Sequence, residues 1–333
     1  MRFLIIGGTS FMGPHVVRRL AGTGHEVTVF HRGRTRTELP EGVREVLGDR
    51  RDLPGQAAVL RATRPDVVID MVLLTEADAR GLYETFRGIA RRTIAVSSVD
   101  VYRAYGILLG LEPGPPVPSP FGEDGPLRTR LFPFRGRMPG MDDYEKILVE
   151  REAMSHPDLP ATVLRLPMVY GPGDPRRRTF EFLKRMDDKR SGILLSPEMA
   201  RWRGSRGYVE DVAAAIALAA IDERGAGRIY NVSEPEALET RRWVEEIGKA
   251  AGWRGRIVEM PSERLPAGLR DDMTTAQHLV ADSSRIRTEL GWRETVPFEE
   301  GLRRTIAWER ANPPAKIEPE AFDYAAEDAA LKG

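Results

Sequence analysis

The segment FLIIGGTSFMG occupies residues 3–13 and runs from four consecutive apolar residues directly into a glycine-rich turn. Beyond it, Val16, Val17 and Leu20 recur at helical spacing. A strand, a glycine turn and a helix in this order suit a bound phosphate. Glycine lets the backbone approach the anion, and the free amides at the helix N-terminus hold it. The segment therefore predicts a dinucleotide-phosphate site at the end of the first strand.

Apolar strand candidates and helical segments alternate over the first hundred residues. This alternation is typical of βαβ units, whose strands form a parallel sheet. We expect a Rossmann-like, doubly wound α/β fold with about seven strands and helices on both faces. The predicted strands are Phe3–Ile6, Glu26–Phe30, Val43–Leu47, Val67–Met71, Thr93–Ser97, Ala161–Leu166 and Ile229–Val232. The clearest predicted helices are Thr75–Ala90, Asp142–Ser155 and Val209–Ala220.

The chain is predicted to form two domains. Residues 1–175, with a strand near 228–233, form a dinucleotide-binding Rossmann domain, and residues 176–225 and 236–333 form a smaller mixed substrate domain. Between residues 103 and 141, eight prolines stand among many glycines, so this segment holds no long helix. A long loop in a compact domain is typical of a functional lid or a disordered insertion.

Composition excludes several classes of protein. The 333 residues contain 50 Lys+Arg and 50 Asp+Glu. This net charge of zero argues against strong electrostatic binding to nucleic acid or to an anionic membrane. The absence of cysteine excludes disulfides and Cys-ligated metals, and five histidines without metal-ligand spacing predict no metal site. The apolar runs are far shorter than a membrane span, so we expect a cytoplasmic protein.

Motifs along most of the chain resemble those of one known family. They are SSVDVY at 97–102, KILVE at 146–150, LRLPMVYGPGD at 164–174, YVEDVA at 208–213 and YNV at 230–232. With the glycine turn, they resemble the extended short-chain dehydrogenase/reductases, which include NAD-dependent epimerases and dehydratases. The middle glycine of that family's G-x-x-G-x-x-G turn is Ser10 here. This departure is similar to the branch that contains the RNA-associated chloroplast stem-loop-binding proteins.

The resemblance implies residues that bind NAD or NADP. They are Gly7, Thr9, Ser10, Phe11, Met12, Gly13, His31, Arg32, Arg34, Asp49, Arg50, Lys146 and Pro167. The end of the second strand has no carboxylate to bind the ribose hydroxyls, whereas Arg32 or Arg34 suits a 2′-phosphate. We therefore favour NADP over NAD, with solvated loop arginines as the alternative.

The resemblance also implies catalytic residues. In the family, a tyrosine and a lysine four residues apart share one helix face and a serine assists proton exchange with the substrate hydroxyl. Ser98 and Lys146 match, but Asp142 stands at the tyrosine position, and Tyr144 is about 200° from Lys146 on a regular helix. Three interpretations stay open. Tyr144 serves because the helix start is irregular, Asp142 or Tyr105 replaces it, or redox chemistry is lost. Asp142 also fits an N-cap.

Four residues are candidates for substrate binding, namely Tyr102, Met168, Arg176 and Arg203. Arginine in this part of the chain suits a substrate diphosphate, so a nucleotide sugar is one candidate small molecule. Met168, however, replaces a polar residue of the sugar epimerases. The alternatives are core packing for Tyr102 and solvated loops for the arginines.

Two functions are therefore considered. The first is an NAD(P)-dependent oxidoreductase or isomerase similar to sugar-nucleotide epimerases and dehydratases. It would act by hydride transfer at a hydroxyl-bearing carbon with a non-standard acid/base. The second is a catalytically degenerate dinucleotide-binding protein that acts as a sensor or binds RNA through arginines beside Trp202. A homodimer through the 75–90 and 142–155 helices is a family-level expectation.

Overall fold

A parallel seven-stranded sheet forms the centre of the computed structural model, which describes residues 1–35, 37–270 and 272–332. The strands in chain order are β1 (Arg2–Ile6), β2 (Glu26–His31), β3 (Arg44–Leu47), β4 (Val67–Asp70), β5 (Arg92–Ser98), β6 (Ala161–Leu166), β7 (Met168–Tyr170), β8 (Gly192–Leu195), β9 (Arg206–Tyr208), β10 (Arg228–Asn231) and β11 (Arg256–Glu259). The central sheet has the order β10-β6-β5-β4-β1-β2-β3. This confirms the doubly wound, Rossmann-like prediction.

Helices cover both faces of this sheet. They are α1 (Gly13–Gly22), α2 (Ala57–Ala62), α3 (Glu76–Phe86), α4 (Arg103–Leu108), α5 (Lys146–Ala153), α6 (Phe180–Asp187), α7 (Pro197–Arg201), α8 (Val209–Ile221), α9 (Thr240–Ala251), α10 (Ser284–Leu290), α11 (Phe298–Ala311) and α12 (Tyr324–Lys332). Apolar residues of α1 and α8 pack on one face, and those of α3 and α5 pack on the other. Every residue of β4 is therefore buried, as expected for a central parallel strand. None of the described helices is long and apolar enough to cross a membrane.

Helix α5 begins at Lys146, four residues later than the sequence pattern predicts. Its N-cap is Glu145, whose carboxylate accepts a hydrogen bond from the Ile147 amide at 2.9 Å. The prediction of Asp142 as N-cap is therefore wrong. The Asp142 carboxylate instead accepts a hydrogen bond from the Gly136 amide at 2.9 Å, which ties it to the preceding loop.

Three short strands outside the central sheet, β7, β8 and β9, were not predicted from the sequence. β7 pairs with β9 and β8 pairs with β11, both in parallel register, in the part of the molecule that follows β6. Of these, β11 alone corresponds to a strand that the sequence also predicts, the apolar segment Ile257–Met260. β7, β8 and β9 contain three or four residues each, which is too few to show a strand period.

The proline-rich segment at residues 103–141 is folded against the rest of the molecule. It begins with the short helix α4, so the prediction that it holds no long helix is confirmed. Glu112 is buried and its carboxylate accepts hydrogen bonds from the amides of Thr129 and Arg130. Phe121 pairs with Ala281 through a backbone bridge. The alternative of a disordered insertion is wrong, because the segment satisfies its polar groups internally and against the body of the protein.

Candidate active site

The glycine turn lies at the carboxyl end of β1, where α1 begins. Gly7 has a φ of +84°, a left-handed conformation that favours glycine, and its amide donates a hydrogen bond to the Phe30 carbonyl at 3.0 Å. A Cβ atom on Gly13 would lie 2.6 Å from the carbonyl carbon of Gly8, so α1 can approach the turn only without a side chain there. The turn and the helix N-terminus form the cradle that a dinucleotide phosphate requires, and these residues fit NAD(P).

We expect Gly13→Ala to weaken cofactor binding because the new methyl group would meet backbone atoms rather than a flexible side chain. Overpacking of this kind costs about 1–3 kcal/mol, which corresponds to about 5- to 150-fold in affinity if it falls on the bound state. Calorimetric titration with NADPH measures the change. Gly22→Ala, in the same helix but with open space around its Cβ, is the control. Equal affinities for both variants would contradict the prediction.

A cavity of about 590 Å³ opens beside the glycine turn. The predicted cofactor residues that line it are Gly7, Thr9, Ser10, His31, Arg32, Arg34, Asp49 and Arg50. Phe11 and Met12 pack partly buried against the core, and the Gly13 amide donates to the Ser10 carbonyl at 2.9 Å. Pro167 is buried between β6 and β7. The cavity therefore brings together most of the predicted cofactor residues, while these four support the turn or the sheet.

The polar side chains at the end of the cavity beside β2 differ in how many ion pairs and hydrogen bonds they already form within the protein. The Arg50 guanidinium forms ion pairs with Asp70 at 2.6 Å and Asp78 at 3.1 Å, so it builds the cavity wall. The Asp49 carboxylate accepts a hydrogen bond from the Arg51 amide at 3.0 Å. Arg32 and Arg34 are exposed at the rim. They are therefore better placed than Arg50 to meet a ligand phosphate.

His31, the remaining predicted residue at this end, is held from both ring nitrogens. Its Nε2 lies 2.7 Å from the Glu45 carboxylate, and its Nδ1 accepts a hydrogen bond from the Gly33 amide at 3.2 Å. These contacts fix the ring at the start of the loop that carries the two exposed arginines. His31 therefore shapes the rim of the cavity.

Tyr144, Lys146 and Ser98 lie together near the carboxyl ends of β4 and β5. Glu145 has extended backbone angles, so Tyr144 precedes the helix and the separation of about 200° on a regular helix does not apply. The Lys146 Nζ atom lies 5.7 Å from the Tyr144 ring centroid, and the Ser98 hydroxyl is near enough to the phenol to act on its pKa. The expectation that Tyr144 faces elsewhere is wrong, and the interpretation based on an irregular helix start fits the structure.

The two other candidates for the tyrosine role do not join Ser98 and Lys146. Asp142 is exposed at the cavity rim and bonded to the Gly136 amide. The Tyr105 ring packs edge-on against Phe134, with centroids 6.3 Å apart. The Phe134 ring also packs against Tyr144 at 5.1 Å. The structure therefore places Tyr144, rather than Asp142 or Tyr105, beside Ser98 and Lys146.

Lys146 is a buried cation. Its Nζ atom donates hydrogen bonds to the carbonyl oxygens of Leu73 at 2.5 Å and Val96 at 2.8 Å, and the residue is 4% exposed. Burial lowers the pKa of Lys146 to about 8, opposed by the negative charges of Asp100 and Asp70. At neutral pH the ammonium is therefore charged and fixed in place by two backbone carbonyls.

The Tyr144 phenol donates a hydrogen bond to the Asp100 Oδ2 atom at 2.6 Å. Burial, and then the negative charge of Asp100, raise the pKa of Tyr144 well above its ordinary value. Tyr144 is therefore protonated at neutral pH. Burial also raises the pKa of Asp100, opposed by the hydrogen bond from Tyr144 and the charges of Arg128 and Lys146.

A buried ion pair fixes the start of α5. The Glu145 carboxylate accepts hydrogen bonds from the Arg128 guanidinium at 2.9 and 3.3 Å and from the Phe132 amide at 2.6 Å. Both side chains are fully buried. Because Glu145 stands between Tyr144 and Lys146, this pair sets the position of both residues.

A second cavity, of about 610 Å³, lies among β7, β8, α6 and α9. Its lining includes Met168, Arg176, Trp202, Arg206, Trp243 and Phe322. Two predicted substrate residues, Met168 and Arg176, are therefore brought together. The Arg176 guanidinium also reaches the Met138 sulfur at 3.4 Å, in the segment that leads to Tyr144. We name this space the C-terminal cavity.

Two predicted substrate residues are not in this cavity. The Tyr102 hydroxyl donates to Asn231 at 2.6 Å and accepts from Arg165 at 2.8 Å, and the residue is 1% exposed. Tyr102 therefore holds the sheet together, and its prediction as a substrate contact is wrong. Arg203 is exposed and forms an ion pair with Glu239 at 2.8 Å. It points to the surface outside this cavity, so its role in substrate binding stays a prediction.

Arg206 is a functional candidate that sequence reasoning missed. Its guanidinium carbon lies 4.5 Å from the Trp243 ring centroid, and burial lowers its pKa to about 10, so it stays charged at neutral pH. The only signal in the sequence was its place in the basic run from Arg201 to Arg206. Asp100 was visible within the SSVDVY motif, two residues after Ser98. Arg128 had no local signal, because it meets Glu145 only in the folded chain.

Comparisons with known proteins identify a matching family and fold. A model of the NAD dependent epimerase/dehydratase family matches residues 3–94 and 144–233, more than half of the chain. A 3-diazoavenalumate denitrifying reductase from a Streptomyces species is 28% identical over 323 residues, which cover 91% of this chain and 100% of that protein. The chloroplast stem-loop binding protein of 41 kDa b from Arabidopsis thaliana is 24% identical, covering 90% of this chain and 77% of that protein.

Among solved structures, the UDP-glucose 4-epimerase of Thermus thermophilus, in complex with NAD, superposes with a TM-score of 0.68. It is 24% identical, and the match covers 93% of this chain and 99% of that chain. This likeness shows the fold. Together with the family model, the matches confirm the resemblance drawn from the sequence motifs, including the branch with the chloroplast proteins.

Proposed function

This chain belongs to the NAD dependent epimerase/dehydratase family, and from that membership we propose that it transfers a hydride at a hydroxyl-bearing carbon of a sugar-like small molecule. It is an NAD(P)-dependent enzyme of the oxidoreductase or isomerase type. The observation that carries the proposal is the grouping of Tyr144, Ser98 and Lys146 beside the cofactor cavity, despite the altered spacing in the sequence.

Each residue of this group has a separate task in the proposed reaction. When bound, NAD(P) supplies the hydride acceptor or donor. The Tyr144 hydroxyl exchanges a proton with the substrate oxygen, and the Ser98 hydroxyl orients both. The Lys146 ammonium, fixed by the Leu73 and Val96 carbonyls, supplies positive charge at the place where a negative oxygen develops.

A direct test follows the near-ultraviolet absorbance of the reduced cofactor for net oxidation or reduction, and separates the sugars by chromatography for isomerisation, which leaves the cofactor unchanged. The purified protein is mixed with NADPH or NADH and a panel of sugar ketones, and in the reverse direction with NADP⁺ or NAD⁺ and the corresponding alcohols and UDP-sugars. Turnover of any member that depends on Tyr144 supports the proposal. Cofactor binding without turnover of any member would favour the degenerate binding protein instead.

We further propose NADP as the preferred cofactor. Arg32 and Arg34 line the rim of the cofactor cavity and are exposed, whereas residues 32–35, directly after β2, include no carboxylate to bind the ribose hydroxyls. A guanidinium pairs well with a phosphate because its planar donors match the phosphate oxygens.

The double variant Arg32→Ala/Arg34→Ala is expected to lose affinity for NADPH and to keep its affinity for NADH. Hydrogen bonds to a charged group contribute about 1.5–3 kcal/mol, or about 10- to 150-fold in the dissociation constant. Calorimetry with both reduced cofactors measures the ratio. Arg44→Ala, an exposed arginine of β3, is the control. Equal losses for NADPH and NADH would refute a role in reading the 2′-phosphate.

The C-terminal cavity is the proposed substrate site. Arg206 and Arg176 give it positive charge, and Trp202, Trp243 and Phe322 give it flat apolar walls. These walls suit a planar ring next to an anionic group, as in a nucleotide sugar. We keep the division into a cofactor domain (1–175 and 228–233) and a substrate domain (176–225 and 236–333) as part of this proposal.

The RNA-binding alternative receives less support. Arg177 is paired with Glu309, Arg178 with Asp174, and Arg203 with Glu239, so these members of the two basic runs are already engaged within the protein. A cytoplasmic location and a homodimer through α3 and α5 stay predictions.

A further inference from the structure

Asp100 is a buried carboxylate in direct contact with the proposed catalytic tyrosine. It lies in the turn that follows β5, is 5% exposed, and accepts the Tyr144 hydroxyl hydrogen bond at 2.6 Å through Oδ2. Its other oxygen, Oδ1, is also buried and has no hydrogen-bond donor of good geometry among the residues that the structure describes. A buried carboxylate that is left with one open oxygen is costly to keep and therefore calls for an explanation.

The charged and titratable groups around Asp100 come from every element packed against it. Ser98 lies at the end of β5, and Tyr105 lies on α4. Arg128 lies in the proline-rich segment. Tyr144 precedes α5, and Lys146 is the first residue of that helix. Neither cation is hydrogen-bonded to the Asp100 carboxylate, and the Arg128 guanidinium donates instead to the Asp100 backbone carbonyl. Arg128 pairs with Glu145, and Lys146 donates to two backbone carbonyls. The bonded neighbour of the Asp100 carboxylate is thus the Tyr144 phenol, which is itself the group that meets substrate.

We propose that Asp100 is the proton store behind Tyr144, receiving the phenol proton when a substrate alcohol is oxidised and returning it when a carbonyl is reduced. This inference rests on the proposed function. It differs from a mechanism in which lysine alone makes the tyrosine a base, because here the tyrosine passes a proton on and does not become a lasting tyrosinate.

The atoms balance without any further reactant. On oxidation, the substrate C–H bond breaks and its electron pair leaves as hydride to the nicotinamide that the proposed function supplies. The substrate O–H proton moves to the Tyr144 oxygen, and the proton already on that oxygen moves to Asp100 Oδ2. The carbonyl is formed, and Asp100 ends neutral. Reduction runs through the same transfers in reverse.

The electrostatics support this direction of transfer. Burial and the charge of Asp100 raise the pKa of Tyr144, so at neutral pH the phenol holds its proton and can accept a second only by giving up the first. Burial also raises the pKa of Asp100, which makes its carboxylate a better proton acceptor than a solvated one. Lys146 lies 5.7 Å from the ring centroid and stabilises the charged carboxylate from a distance.

The first test uses the protein without cofactor or substrate. Tyrosinate formation is followed by ultraviolet absorbance during a pH titration, and the signal of Tyr144 is isolated by subtracting the curve of the matching Tyr144→Phe variant. In wild type, Tyr144 is expected to ionise only well above about pH 10. In Asp100→Asn it is expected to ionise at lower pH, because the negative charge that repels the tyrosinate is gone. An unchanged Tyr144 titration would overturn the proposal.

The second test is the pH dependence of alcohol oxidation. Oxidation requires ionised Asp100, so the wild-type rate should rise with pH through the titration of this group. Reduction requires its protonated form and should fall over the same range. Asp100→Asn should lower oxidation by about 10²- to 10⁴-fold and remove the rising limb, while any change caused by Lys146 stays. A wild-type profile in this variant would overturn the proposal.

Two further variants complete the design. Asp158→Asn is the control, because Asp158 is an exposed carboxylate paired with Arg87. The Tyr144 titration and the pH dependence of oxidation should both stay at their wild-type values in this variant. If Asp100→Asn did not fold, Asp100→Glu would be measured in its place. It should retain both the suppressed tyrosinate and the rising limb, and loss of both would overturn the proposal. The tyrosine titration needs no turnover, so its outcome stays separate from a failure of the proposed function.

Discussion

Tyr144→Phe is expected to lower turnover by about 10²- to 10⁴-fold, which is the usual contribution of a positioned acid or base. The phenylalanine ring keeps the packing against Phe134, so the variant removes only the hydroxyl that donates to Asp100. Cofactor affinity should stay near wild type, because the glycine turn and the arginines at the rim are untouched. Steady-state kinetics and calorimetric titration with NADPH separate these two effects.

Tyr83→Phe is the matched control for this variant. Tyr83 is also buried and hydrogen-bonded, to Thr93 at 2.7 Å, but it lies on α3. Its loss should cost about 1 kcal/mol of stability and leave turnover unchanged. If Tyr144→Phe retained most of the wild-type activity, Tyr144 would not be the proton-exchanging group, and the interpretation in which another residue replaces it would return.

The second large effect concerns the ion pair that fixes the start of α5. Glu145→Ala should lower the free energy of unfolding by about 3–5 kcal/mol, because it leaves the fully buried Arg128 guanidinium without its counter-charge. It also removes the acceptor for the Phe132 and Ile147 amides. Urea unfolding followed by circular dichroism measures the loss. Activity at low temperature should fall as well, since Tyr144 and Lys146 flank the altered residue.

A double variant and a surface control test this reasoning. Arg128→Met/Glu145→Leu should be more stable than Glu145→Ala, because replacing both partners leaves no uncompensated charge. Glu152→Ala, on the same helix and bonded to His156 at its partly exposed end, should cost less than about 1 kcal/mol. A loss below about 1 kcal/mol in Glu145→Ala as well would show that the pair does not hold the helix start.

The proposed NADP preference and the proposed substrate cavity connect these effects to selectivity. Arg32, Arg34 and Tyr144 all line the cofactor cavity. Arg176 lines the C-terminal cavity, and its guanidinium contacts Met138 in the segment that precedes Tyr144. Variants of the two arginines at the rim should therefore change which cofactor is used without changing the proton transfer.

Local features of the sequence were enough to predict the central sheet and the cofactor turn. β1, β2, β4, β5 and β6 were predicted to within about one residue at each end, because a buried parallel strand reads as an apolar run whose limits do not depend on distant partners. Gly7 and Gly13 were predicted for the same reason, since a close backbone approach excludes a side chain whatever the rest of the chain contains.

Ser98 and Lys146 were also found from the sequence, because each lies in a motif at the end of a predicted element. The outcome was different for Tyr102 and Arg203. Their sequence positions are equally suggestive, but one side chain is used by Asn231 and Arg165 and the other by Glu239. A polar residue near a site can satisfy its hydrogen bonds either inside the protein or on a ligand, and local sequence does not distinguish the two.

The sequence by itself thus determined the doubly wound fold, the glycine turn of the proposed dinucleotide site and two members of the proposed catalytic group. Only the tertiary structure decided that Tyr144 joins them and that Asp100 stands behind it. The reason is that a helix start depends on the group that caps it. Glu145 caps α5 while paired with Arg128, 17 residues earlier in the chain, and this buried contact places Tyr144 before the helix instead of on its opposite face.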